Sequence, residues 1–230
     1  RGEDPPDLAR GREPVPVILV HGYGGSSTSM ETIQARLQRE GRSVVAVDLP
    51  DRGEGDITSS ARFLSEAIDA TGAATVDLIG FSLGGVVVRT YVDAIDASKP
   101  RYVITLASPH HGTDIAGLAT FADPGACTGA CAQLNPESDF LAGLNDPDET
   151  PEGPAFVTVW TDDDETVTPP DSAVLDGALN IKIQDVCPGA EVSHGDVAHH
   201  LAVLGIIVTT LTGRLDEKPG DCAALSRLGA

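Results

Sequence analysis

The sequence predicts an α/β fold with a mostly parallel sheet of about six strands and helices on both faces. Three observations carry that prediction. Short β-branched runs alternate with stretches of helical period along most of the chain, as successive βαβ units require. A serine flanked by glycines, Gly80-Phe81-Ser82-Leu83-Gly84, sits between an extended run and a helical one. A glycine-rich turn, His21-Gly22-Tyr23-Gly24-Gly25, follows the first apolar run directly.

The elements follow in order. Residues 15–20 read as the first strand. Met30, Ile33 and Leu37 fall at i, i+3 and i+7, one face of a helix that Gly41 would end as a C-cap. Residues 43–47 supply a second strand, and 48–56 are rich in turn formers. Residues 58–70 read as a helix, with Ser and Thr at its start and Gly72 beyond its end. Residues 75–79 form a third strand and 83–95 a helix. Three more strands follow at 102–106, 156–160 and 180–183, and 199–211 closes the series as a helix. Residues 1–14, rich in proline and charge, read as an irregular leader, and 15–230 as a single domain. One segment, 112–153, lacks a strong period, and a stretch that long is usually functional or holds short helices of its own.

Composition narrows the function. With 41% hydrophobic residues in 230, the chain can bury a sizeable core. A net charge of −20 disfavours nucleic acid and anionic lipid as partners, since both are polyanions. No apolar run approaches the roughly 18 residues of a membrane-spanning helix. The longest, 201–211, is interrupted by Gly205, Thr209 and Thr210. Cys127, Cys131, Cys187 and Cys222 allow three pairings. The first two share a short loop and the others lie in the last segment, which favours 127–131 and 187–222. Two such bonds imply an oxidising compartment and a secreted chain; the alternative is four buried thiols in a cytosolic one. No CxxC pair is present, so a zinc site has little support. The first residue is Arg1 rather than Met, as in a processed chain.

The GxSxG pentapeptide has a physical reading. A serine at a sharp strand-to-helix turn sits in strained backbone, and glycine two positions to either side avoids the clashes that turn creates. The hydroxyl is lifted clear of the sheet, near the positive end of the next helix. Gly85 would let that helix pack closely. Ser82 is therefore the candidate nucleophile. In the His21–Gly25 turn, the glycines admit substrate close to the backbone. The N–H groups of Tyr23 and Leu83 are the candidate oxyanion donors. No GxGxxG or GxxxxGK[ST] pattern is present, which disfavours phosphate binding.

In this arrangement an acid and then a histidine should follow the serine along the chain. The strand at 156–160 runs into Thr161-Asp162-Asp163-Asp164-Glu165. Asp164 is the preferred acid, since it lies far along the loop and just before the apolar Val167. Asp162 and Asp163 are held in reserve, and a solvated acidic turn or weak calcium loop is the bland alternative. His194, in Val192-Ser193-His194-Gly195-Asp196, is the candidate base. His199 and His200, within or at the start of the last helix, read as structural. His110 and His111 precede the acid and read as lining the site edge or capping the loop.

Together these residues resemble the small secreted bacterial lipases of the α/β-hydrolase superfamily. The likeness rests on Val17 through Gly25, Gly80 through Gly85 and Leu106-Ala107-Ser108-Pro109-His110-His111-Gly112-Thr113. It continues through Thr161 to Pro169, Leu175 to Asn180 and Ser193-His194-Gly195. The resemblance covers about residues 14–213, nearly the whole chain; it is weaker over 112–153. It implies the α/β-hydrolase fold, an acid at Asp164, a base at His194, and carboxylic esters, notably acylglycerols, as substrates.

The expected activity is ester hydrolysis, most specifically triacylglycerol lipase activity, through Ser82, His194 and Asp164, without cofactor or metal. The expected partner is a small-molecule or lipid ester, met at an oil–water interface, and the expected state a secreted monomer. The alternatives are a carboxylesterase or polyester hydrolase, an acyltransferase, and a non-catalytic hydrolase-like binding protein. In 112–153, the side chains Ile115, Leu118, Phe121, Leu134, Phe140, Leu141 and Leu144 either wall an acyl-chain pocket, as a lid would, or pack into the core. No period picks one face over the other.

Overall fold

The computed structural model describes residues 15–114, 127–214 and 220–230. The expected leader at 1–14, and Ile115, Leu118 and Phe121 of the irregular segment, lie outside them. Six strands form one sheet: β1 (Val17–Val20), β2 (Val44–Val47), β3 (Val76–Phe81), β4 (Pro100–Leu106), β5 (Ala155–Trp160) and β6 (Leu179–Lys182). Their order is β2-β1-β3-β4-β5-β6, and every neighbouring pair is parallel. The chain builds one edge through β2, returns past β1, and then extends steadily through β6. The order therefore reverses between β1 and β3, and a crevice opens beyond the C-terminal ends of strands at such a point.

Helices cover both faces. The longer ones are α1 (Glu31–Arg39), α2 (Ile57–Ala70) and α3 (Leu83–Ala94). Then come the short α4 (Ala130–Gln133), α5 (Asp139–Asn145) and α6 (Ile183–Val186), and last α7 (Leu201–Leu211) and α8 (Cys222–Gly229). Strand alternation sorts the core into two layers. Val17 and Leu19 point into a layer with Met30, Ile33 and Leu37 of α1 and Val203, Ile206 and Ile207 of α7. Ile18 and Val20 point the other way, toward Leu64 and Ile68 of α2 and Val87 and Tyr91 of α3. A strand buried on both faces needs an unbroken apolar run, and Val17-Ile18-Leu19-Val20 supplies one.

Several boundaries differ from the sequence expectations, each for a local reason. β3 continues through Gly80 and Phe81, because both residues still pair with β4. The cap of α2 is Asp56, whose side chain accepts the Ser59 N–H at 2.7 Å, rather than a Ser or Thr. Ile183 ends no strand but opens α6. The last long helix begins at Leu201, so His199 and His200 precede it, with His200 as its N-cap. A further helix, α8, was not among the elements expected from the sequence. It lies across α7 so closely that a Cβ on Gly205 would sit 2.1 Å from the Leu225 carbonyl oxygen. That cover explains why α7 can be apolar all round.

Within 127–153, Leu134, Leu141 and Leu144 are buried and Phe140 packs against them, all in the layer beneath α2 and α3. These side chains take the core-packing alternative. Disulfides join Cys127 to Cys131 and Cys187 to Cys222, and the second ties α8 to the loop after α6. Among the described residues no helix is long and apolar enough to cross a membrane.

Candidate active site

Ser82 stands between β3 and α3 with φ 53° and ψ −126°, a conformation L residues rarely hold and one that costs on the order of 1–3 kcal/mol. Its surroundings require glycine. A Cβ on Gly80 would meet the Gly84 backbone at 2.4 Å, and one on Gly84 would meet the Val20 carbonyl oxygen at 2.2 Å. A Cβ on Gly85 would fall 2.0 Å from Ser108 Oγ, so this glycine seats α3 against the end of β4. The turn is held by the Ser82 N–H, which donates to the Leu106 carbonyl at 2.8 Å.

The turn after β1 approaches from the side. A Cβ on Gly22 would lie 3.0 Å from Ser82 Cβ, and Gly25 N–H closes the turn onto the Gly22 carbonyl at 3.1 Å. His21 is fully buried. Its Nε2 accepts the Leu49 N–H at 3.0 Å, which assigns the ring proton to Nδ1, 2.7 Å from the Gly22 carbonyl. His21 is thus a clamp between the end of β2 and the turn, a role its sequence position did not announce. Arg52 adds a second clamp by donating to the Gly24 carbonyl. Tyr23 lines the cleft beside Ser82, and Leu83 is buried as the first residue of α3. Burial, with the Glu54 carboxylate nearby, pushes the Tyr23 hydroxyl above its ordinary range.

Each acid after β5 meets a different partner. Asp162 reaches Lys182 Nζ at 3.1 Å on the surface. Asp163 accepts the Val192 N–H at 3.1 Å and Gln184 Nε2 at 3.0 Å. Asp164 is buried; its Oδ2 lies 2.9 Å from His194 Nδ1, while its Oδ1 accepts the N–H groups of Thr166 at 2.9 Å and Val167 at 2.7 Å. Glu165 accepts the His194 backbone N–H at 3.1 Å through Oε2. Asp164 therefore sits on the imidazole and the acids on either side of it sit on the loop that carries the imidazole. Sequence reading offered Asp162 and Asp163 as substitutes and did not single out Glu165. Nothing in a run of four acids distinguishes their partners until the loop at 192–195 is beside it.

His194 completes the set: Nε2 lies 3.1 Å from Ser82 Oγ, and its ring packs against Phe81 with centroids 5.1 Å apart. The structure thus brings Ser82, His194 and Asp164 into one hydrogen-bonded chain, with all three side chains buried or nearly so. The other histidines stand apart. His199 Nδ1 is 2.7 Å from Thr32 Oγ1, linking the loop before α7 to α1. His110 corrects the expectation of a residue at the site edge. It is fully buried, with Nε2 3.0 Å from Thr105 Oγ1, because Ala107, at φ 46°, turns the chain inward after β4. Burial, with Arg89 and His111 nearby, holds its imidazole well below the usual histidine range. His111 faces outward and pairs with Glu149 at 2.7 Å.

The cleft above Ser82 measures about 280 Å³ and is lined by Gly22, Tyr23, Phe81, Ser82, Glu165, Thr166, His194 and Gly195. Among the described residues no group of three or more His, Cys, Asp or Glu is arranged to hold a metal ion.

Comparison with known proteins agrees with this architecture. Aspergillus fumigatus lipase B superposes with a TM-score of 0.79 at 21% identity, covering 94% of this chain and 56% of that one. The mature Bacillus licheniformis lipase BlEst2 gives 0.67 at 20% identity, covering 92% and 96%. At such identities the likeness is one of fold, and the fold is that of the α/β-hydrolases. A triacylglycerol lipase of Pseudarthrobacter phenanthrenivorans is 34% identical over 112 residues, 44% of this chain and 35% of its own length. Another, of Burkholderia plantarii, matches equally well over 31% of its length, so the chain aligns with about a third of either relative. Residues 16–145, more than half of the chain and including both the glycine turn and Ser82, match the family model described as palmitoyl protein thioesterase. The chain belongs to that family.

Proposed function

We propose that this protein is a serine hydrolase that cleaves carboxylic esters, with triacylglycerols as the specific substrates. The observation that carries the reading is the chain Ser82 Oγ–His194 Nε2–Asp164 Oδ2, at 3.1 and 2.9 Å, opening into a cleft. His194 takes the Ser82 proton as the oxygen attacks the ester carbonyl, and Asp164 holds the ring and stabilises the imidazolium. The N–H groups of Tyr23 and Leu83 hold the developing oxyanion, each worth on the order of a few kcal/mol. His194 then returns the proton to the departing alcohol. Water, deprotonated by the same ring, releases the acid from the acyl-enzyme. The two disulfides and the acidic surface support a secreted enzyme acting as a monomer on neutral lipid.

Fluorophosphonate labelling, followed by hydrolysis of triacylglycerols of graded chain length by the native protein and Ser82→Ala, tests the reading. Label on Ser82 and loss of turnover by several orders of magnitude in the variant are expected. A variant with near-native rate overturns it. The family match favours one second reading, an acyl thioester as the scissile bond. The same attack serves both, and rates on matched oxygen esters and thioesters separate them.

A further inference from the structure

Glu165 lines the cleft together with Ser82 and His194. Its Oε2 is tied to a neutral partner, the His194 backbone N–H, and among the described residues no ion pair engages it. Asp162, close by in sequence, does have a cation, Lys182. The Glu54 carboxylate acts on Tyr23 from behind and does not itself line the cleft. Among the residues that line the cleft, the carboxylate is therefore that of Glu165. His194 supplies chemistry, and the remaining lining groups, Gly22, Tyr23, Phe81, Thr166 and Gly195, are neutral.

Resting on the ester hydrolysis proposed above, we propose that Glu165 is a specificity-determining residue: its carboxylate makes the cleft reject esters that carry an anionic group near the scissile carbonyl. The same charge hastens release of the product, since hydrolysis converts a neutral ester into a carboxylate in the same cleft. Because Glu165 is exposed, solvent and salt screen its field, and the discrimination is strongest at low ionic strength.

The test uses para-nitrophenyl hexanoate and the mono-para-nitrophenyl ester of adipic acid, whose acyl chains match in length and differ by a terminal carboxylate. Glu165→Gln removes the charge and keeps an oxygen for the His194 N–H; Glu165→Ala removes both. The measured quantity is kcat/KM for the anionic ester divided by that for the neutral one. At low salt this ratio should rise about three- to tenfold in both variants. Added salt should raise it more steeply in the native enzyme than in the variants, where only the repulsion from the rest of the acidic chain remains to be screened. Hexanoate should also inhibit Glu165→Gln at several-fold lower concentration. A ratio unchanged by Glu165→Gln, or a loss of rate equal for both esters, overturns the charge selection and leaves the hydrolase intact. A native protein that cleaves neither ester overturns the hydrolase reading, and this one with it.

Discussion

The Asp163 carboxylate accepts the backbone N–H of Val192 at 3.1 Å, two residues before His194. Beside it, Thr161 Oγ1 donates to the Val192 carbonyl at 2.8 Å while accepting Gln184 Nε2 at 2.8 Å and the Asp163 N–H at 3.2 Å. With Glu165 on the His194 N–H, the acid loop holds both the ring of His194 and the backbone that carries it. Thr161→Val keeps the volume and strands these buried partners. It should destabilise the protein by about 1–3 kcal/mol in urea unfolding and lower kcat more than it raises KM. Unchanged stability would show that the two loops do not depend on this hydroxyl.

Asp164 and Asp162 should part company on amidation. In Asp164→Asn the amide oxygen stays on the Thr166 and Val167 N–H groups and the NH2 faces His194 Nδ1, which selects the wrong imidazole tautomer, so kcat should fall about 10³- to 10⁴-fold. Asp162→Asn loses a surface contact with Lys182 and should change stability by under about 1 kcal/mol, with activity near native. Steady-state kinetics on one ester decides; the reverse ranking would move the acid to Asp162.

Gly84→Ala should prevent folding or lower Tm steeply, because its Cβ would lie 2.2 Å from the Val20 carbonyl oxygen and 2.7 Å from that of His21. Gly41→Ala makes the contrast. Nothing lies within 4 Å of its Cβ, and the cost, about 1 kcal/mol, comes from φ 77° alone. Thermal melts of the two variants check the difference.

Reduction of the disulfides should lower Tm. By chain entropy, the bond spanning 35 residues between Cys187 and Cys222 contributes about 3–4 kcal/mol, and that spanning 4 between Cys127 and Cys131 about 2 kcal/mol. Cys222→Ser should therefore cost more than Cys127→Ser. Mass spectrometry of the native protein finding free thiols would remove the basis of both figures.

Stability should decline as pH falls below about 6.5. Burial keeps His110 neutral in the folded protein, while the unfolded chain takes up a proton at the ordinary histidine value of 6.5. The unfolded state then binds more protons, so the stability present above 6.5 is lost on acidification, by up to about 1.4 kcal/mol per pH unit per group. His200, also lowered by burial, acts in the same direction. His110→Gln should remove part of the slope between pH 6.5 and 5 in denaturant titrations. An unaltered slope would assign it elsewhere.

What the sequence determined by itself is local. Residues 15–20 read as a strand, and Gly80-Phe81-Ser82-Leu83-Gly84 as a turn between strand and helix. In both, neighbouring residues supply the steric and apolar requirements. The choice of Asp164 and His194 also lay within reach, because chain order limits the candidates. Tertiary structure alone decided what Asp162, Asp163 and Glu165 hold instead, that His21 clamps the turn beside Ser82, that His110 lies in the core, and that α8 covers α7. Those outcomes depend on segments 28 to 30 residues apart for Leu49 with His21 and for Asp164 with His194, and on Leu225 meeting Gly205. A hydrogen bond or a close contact is set by position in space, and four consecutive acids look alike until folding brings a different donor to each.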